Sequence, residues 1–173
     1  ERGACSRTDS RAEVRDVDAR ARRVTAVVIQ LMSGSGHRNL ARLVRADFIA
    51  GSRPQFDHNR LAQFNGDAPA MVPVVSEDPL GTAALPTADS YEWFTRAQET
   101  IAPAWRNEVT MRSVEMLSEY EPAAYIRQVS PTPLLMLPAR HDHLCPIDIA
   151  LTAFEDAREP KRIEVLPGGP VDS

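Results

Sequence analysis

The sequence predicts an α/β fold built on a short parallel sheet of about three strands, and three observations predict it. Two runs, residues 24–29 and 134–137, carry apolar side chains on both faces, the pattern of strands covered on both sides. A third run, residues 162–166, follows the second by way of a polar loop and a helix-patterned stretch. Strand, helix and strand within about 35 residues form a βαβ unit, which requires parallel pairing.

Taken in order, residues 1–23 hold seven Arg and five acidic residues, and Val14, Val17 and Ala21 are spaced i, i+3, i+7. This divergent stretch reads as a weak helix or an arm. The first strand begins at Val24, and Ser33-Gly34-Ser35-Gly36 makes a flexible loop after it. Asn39 is the expected N-cap of a helix striped by Leu40, Leu43, Val44 and Phe48 and ended by Gly51. Phe56, Leu61 and Phe64 predict a second short helix, closed by Asn65-Gly66. Residues 68–88, rich in Pro and Gly, predict irregular structure. Trp93, Phe94, Ala97 and Ile101 mark a third helix; Val109, Ser113, Met116, Leu117 and Tyr120 mark a fourth. Glu108 and Arg112 stand at i, i+4, the spacing of a solvated ion pair. Pro131-Thr132-Pro133 leads into the second strand. Pro146 suits the first turn of the next helix, whose expected buried face is Ile147, Leu151 and Phe154.

Composition narrows the function. A chain of 173 residues is one domain or a piece of a larger one. Its 43% hydrophobic and 25% charged content is ordinary globular usage, which excludes wholesale disorder. A net charge of -4 gives no basic footprint, so nucleic acid is not an expected partner. No apolar run approaches the roughly 20 residues that cross a bilayer, and no membrane partner is expected. Residues 1–23 lack the apolar core of a signal peptide, and two cysteines, Cys5 and Cys145, exclude a disulfide scaffold. Cytoplasmic localisation is the expectation. Of the 20 basic residues only Lys161 is lysine, a skew that GC-rich coding explains, so no Arg is assigned a function on that ground.

In an open parallel sheet, chemistry gathers at the carboxyl ends of the strands. The loop after the second strand carries His141, Asp142, His143 and Cys145, and Pro167-Gly168-Gly169-Pro170 should lie nearby. A carboxylate on the first loop facing a His on the second is the orienting half of a nucleophile-His-Asp triad, although the second loop here has no His. His141, His143 and Cys145 without a second ligand pair do not make a zinc site, and no cofactor or metal is predicted. Trp93, Phe94 and Trp105 read either as plain core or as the wall of a substrate pocket.

Several stretches resemble the carboxyl-terminal part of an α/β hydrolase. They are Pro131-Thr132-Pro133-Leu134-Leu135-Met136, Asp142 with Pro146 four residues on, Pro160-Lys161-Arg162 and Leu166-Pro167-Gly168-Gly169. The chain is most similar to the branch of dienelactone hydrolases and acetyl-xylan esterases with an inserted helical lid. Asp89-Ser90-Tyr91-Glu92-Trp93-Phe94 and residues 102–110 support the same branch. The resemblance covers about residues 22–169. It implies a partial α/β-hydrolase fold over residues 24–173, with the lid at about 39–120. It also implies an esterase-type reaction on an ester or related acyl bond of a small molecule, with Asp142 at the position of the triad acid.

Two departures limit what the resemblance implies. Pro170 stands where the family has its His, and the chain stops at Ser173. The family's nucleophile sits in a G-x-S-x-G elbow upstream of the helix before Val24. Here Gly3-Ala4-Cys5-Ser6-Arg7 places Cys5 at about that distance, with Arg7 where the turn needs a small residue. The expectation is therefore a chain inactive by itself, with a frame shift or truncation at each side. The alternative is a non-catalytic remnant that binds a small apolar ligand or a protein partner. A sheet without its amino-terminal strands also predicts self-association through an exposed edge.

Overall fold

The computed structural model describes residues 24–30, 33–44, 46–78 and 80–169. The arm at 1–23, with Cys5, and the segment from Pro170 lie outside the described residues. The element order is β1 (Val27–Gln30), α1 (Gly36–Leu43), α2 (Ala46–Phe64), β2 (Met71–Val72), α3 (Ala88–Thr100), β3 (Val109–Thr110), α4 (Met111–Ser118), a 3-10 segment (Pro122–Gln128), β4 (Leu134–Leu137), α5 (Ile147–Asp156) and β5 (Lys161–Ile163). The chain divides into two units: one runs to Gly36 and resumes at Tyr120, and the other is His37–Glu119.

The first unit holds a three-stranded parallel sheet in the order β1-β4-β5, with Val27 opposite Leu134 and Leu134 opposite Lys161. The expected βαβ unit is β4-α5-β5. Leu134 and Met136 alternate into a core with Val27, Ile126, Val129, Ala150, Ala153 and Ala157. Among the described residues β1 pairs on one side only, and Val28 is 39% exposed. The burial on both faces read from the sequence does not hold at that residue. On α5 the buried face is Ile149, Ala150 and Ala153, whereas Leu151 is exposed. Alanines let a helix backbone approach a sheet closely, and a stripe of large residues misses that face.

The single lysine has a structural post in this unit. Lys161 Nζ donates to the carbonyls of Phe154 (2.6 Å), Ala157 (2.7 Å) and Glu155 (3.2 Å) at the end of α5, and lies 4.6 Å from the centroid of the Phe154 ring. Helix C-termini leave carbonyls without intrahelical donors, and a compact ammonium with three donors meets three convergent acceptors. A planar guanidinium does not match that geometry. Lys161→Met is expected to cost about 1–2 kcal/mol in urea unfolding, with Lys161→Arg recovering less than half of it. Arginine matching the wild type would refute this account.

In the second unit α2 runs unbroken through Gly51 and Pro54, where the pattern predicts two helices. An interior glycine costs about 1 kcal/mol and a proline about 3 kcal/mol, so tertiary anchors offset them. Asn59 is buried, and its Oδ1 accepts the Ala70 N–H (3.0 Å). Arg60 pairs with Glu115 on α4, against which α2 packs. The Asn65-Gly66 closure holds, with Gly66 at a φ of 98°. Asn39 is not an N-cap but lies buried inside α1. That helix starts at Gly36, whose N–H donates to the Tyr120 carbonyl (2.6 Å), a tertiary signal that no local pattern carries.

The stretch read as irregular contains β2, which pairs antiparallel with β3, Met71 opposite Thr110. Beyond it the Asn107 side-chain amide grips both backbone groups of Val75, accepting from its N–H and donating to its carbonyl at 2.9 Å each. Thr110 Oγ1 then caps α4 by accepting the Ser113 N–H (3.2 Å). The fourth helix thus begins at Met111, leaving Glu108 outside it. Glu108 pairs with Arg106 (3.9 Å), and Arg112 pairs with Glu115 (2.6 Å).

Candidate functional site

The parallel pairing of β4 and β5 continues past both strands as an irregular ladder. Glu164 N–H donates to the Met136 carbonyl and Leu166 N–H to that of Pro138, each at 2.9 Å. Arg140 N–H donates to Leu166 and His141 N–H to Gly168, again at 2.9 Å. Gly168 has a φ of 92°, in the left-handed region that a side chain disfavours. The loop after β4 and the glycine turn after β5 are therefore fastened together, with Asp142 the next residue along.

Asp142 is buried at 6% exposure. Its Oδ1 accepts the backbone N–H groups of Leu144 (2.9 Å) and Cys145 (2.7 Å). These bonds fix the carboxylate and turn the chain toward α5, where Pro146 occupies the N-cap position rather than the first turn. A carboxylate held this way at the carboxyl end of a parallel strand can orient an imidazole and stabilise its charged form. His141 and His143 are exposed, and the described residues contain no group of three side chains able to hold a metal ion.

Sequence reasoning missed the closure beside β1. Ser35, read only as part of a flexible loop, is buried, and its Oγ donates to Glu121 Oε1 (2.8 Å). Ala123 N–H donates to the Gly34 carbonyl (3.0 Å). Together with the Gly36–Tyr120 bond these contacts join the points where the chain leaves the first unit and returns to it. Ser35 and Glu121 are 86 positions apart, and nothing local links them.

The aromatic residues form their own group. Phe94 meets Trp93 edge to face (4.9 Å between centroids) and stacks on Trp105 (5.2 Å). In the same unit Glu115 is a buried carboxylate clasped by Arg60 and Arg112. The hydrogen bond to Glu115, and next its charge, raise the Arg112 pKa above the ordinary value. No helix among the described residues is long and apolar enough to cross a membrane.

No family model matches the chain. It is 32% identical over 108 residues to the thiohydrolase aneE of Aspergillus aculeatus, covering 61% of this chain and 34% of that protein. It is 26% identical over 111 residues to the polyketide transferase grgF of a Penicillium species, covering 64% and 37%. The crystal structure of the α/β hydrolase GrgF from Penicillium superposes with a TM-score of 0.69 at 22% identity, covering 93% of this chain and 53% of that one. DcsB in complex with its substrate analogue gives 0.66 at 24% identity, covering 92% and 52%. The chain thus spans about a third of the curated relatives and about half of the solved structures. Over the portion that it spans, the chain carries a partial α/β-hydrolase fold.

Proposed function

We propose that this chain is part of an acyl-bond hydrolase in which Asp142 is the positioning carboxylate of a nucleophile-His-Asp triad. The observation that carries the reading is the buried Asp142 carboxylate, fixed by two backbone N–H groups beside the glycine turn after β5. Relatives named thiohydrolase and polyketide transferase favour a thioester or ester as the bond attacked. In this reading the unit His37–Glu119 is the lid. The triad would work by nucleophilic attack on the carbonyl, with the His as base and backbone N–H groups stabilising the oxyanion. The 173 residues contain no G-x-S-x-G, and Pro170 follows the paired glycines, so this reading expects no turnover from the 173 residues alone.

The test begins with the encoding DNA, translated in all frames through both flanks. A G-x-S-x-G elbow upstream and a His after the paired glycines are expected; clean start and stop signals in this frame would sink the reading. The 173-residue chain is expected to leave p-nitrophenyl acetate and a thioester analogue unhydrolysed. Turnover that disappears on Asp142→Ala would overturn its inactivity. In a longer chain that carries such an elbow and His, Asp142→Asn keeps the acceptor for Leu144 and Cys145 but removes the charge. It is expected to lower kcat by about 10⁴ with the melting temperature retained.

A further inference from the structure

We propose that Asn65 is a modification site, where the side-chain amide converts without an enzyme to a carboxylate at the end of α2. The chain holds four asparagines, and their surroundings differ. Asn39 and Asn59 are buried within helices. The Asn107 amide is engaged at both its oxygen and its nitrogen by the backbone of Val75. Asn65 is exposed in the turn after α2, and it alone of the four is followed by glycine. Gly66 has no Cβ to obstruct the approach of its backbone nitrogen to the Asn65 side chain. A Cβ built on Gly66 meets nothing within 4 Å, so no neighbouring segment covers the turn at that point.

Water is the one co-reactant. The Gly66 backbone nitrogen gives up its proton to solvent and bonds to Asn65 Cγ, while the Cγ–Nδ2 bond breaks and ammonia leaves. Water then opens the cyclic imide at either carbonyl, giving aspartate or the isomer whose main chain runs through the side-chain carbon. In the fold the Gly66 N–H donates to the Gln63 carbonyl (3.0 Å), so the reaction waits on fraying of the last helical turn. Both products act on the same place. A carboxylate there meets the negative end of a 19-residue helix, with Asp67 already beside it. The isomer also lengthens the main chain between two fixed points, the Asn65 N–H on the Leu61 carbonyl (3.0 Å) and the Ala70 N–H on Asn59 (3.0 Å). Because β2 begins at Met71, the change bears on its pairing with β3. This inference does not rest on Asp142 or on the acyl-bond reading.

The experiment warms the folded 173-residue chain at mildly alkaline pH and maps its peptides by mass spectrometry. An isoaspartyl methyltransferase added afterwards labels the isomerised product. The Asn65 peptide is expected to gain the mass of an amide-to-acid exchange about tenfold faster than the peptides bearing Asn39, Asn59 or Asn107. Gly66→Ala should slow the conversion even though alanine is strained at a φ of 98° and lowers the melting temperature. A merely looser helix end would speed it instead. Asn65→Asp, which copies one product, should lower the melting temperature by about 1–4 °C at low salt and by less at high salt. Conversion of Asn65 in urea but not in the folded chain would overturn the proposal, because the turn would then protect the amide. So would equal rates at all four asparagines. An Asn65→Asp chain that melts with the wild type at low salt would overturn the effect on α2.

Discussion

Met136→Ala is expected to lower stability by about 2–5 kcal/mol, the largest effect of any single change in the first unit. Met136 is 1% exposed in the middle of the central strand, opposite Ile29 on one side and Ile163 on the other. Truncation there removes contacts with both flanking strands and leaves a void among Val27, Ile126 and Ala150 that a three-stranded sheet cannot readily close. Met136→Leu nearly conserves volume and should cost less than about 1.5 kcal/mol. Urea unfolding followed by circular dichroism reads both. If alanine cost no more than leucine at this position, the assignment of the core to β4 would be wrong.

Removing both arginines from Glu115 is expected to destabilise the second unit by more than the sum of the single changes. Glu115 has a side chain 3% exposed, whereas Arg60 and Arg112 are 48% and 43% exposed. Arg60→Ala leaves the carboxylate with Arg112, and Arg112→Ala leaves it with Arg60. The double change leaves a nearly buried carboxylate without either cation. Both arginines reach solvent, so screening reduces the loss from that of a fully buried pair, and the excess over the single changes is read as a further fall in melting temperature. Adding Glu115→Leu to the double variant removes the stranded charge and should restore most of the stability. Thermal unfolding of the wild type, the two single variants and the double variant measures the non-additivity. Strict additivity, or no rescue by leucine, would mean that the clasp contributes only as surface charge.

The β4-α5-β5 unit was legible because its signals are local: short apolar runs, Pro131 to Pro133 before β4 and the paired glycines after β5. The pairing of β1 with β4 was not, because Val27 and Leu134 stand far apart in the chain. The α2 helix was not legible, because Gly51 and Pro54 break the helical pattern while the bonds that offset them come from Ala70, past the end of the helix, and from Glu115, far along the chain. The same holds for β2. Its two residues, Met71 and Val72, are too few for periodicity, and its partner strand lies nearly forty positions later. On α5 the expected face holds at Phe154, which packs against the core, and fails at Leu151, which is exposed while Ile149, Ala150 and Ala153 are buried.

The position of Asp142 shows the same division within the site. Sequence alone determined a βαβ unit with a carboxylate after the middle strand and glycines after the last, because strand, turn and helix preferences act over a few residues. Only the tertiary structure decided that the carboxylate is buried and held by the Leu144 and Cys145 N–H groups, with the two loops laced together by His141 and Gly168. It also decided that Ser35 meets Glu121. Burial and long-range hydrogen bonds are properties of how distant segments meet, and no window of sequence contains them.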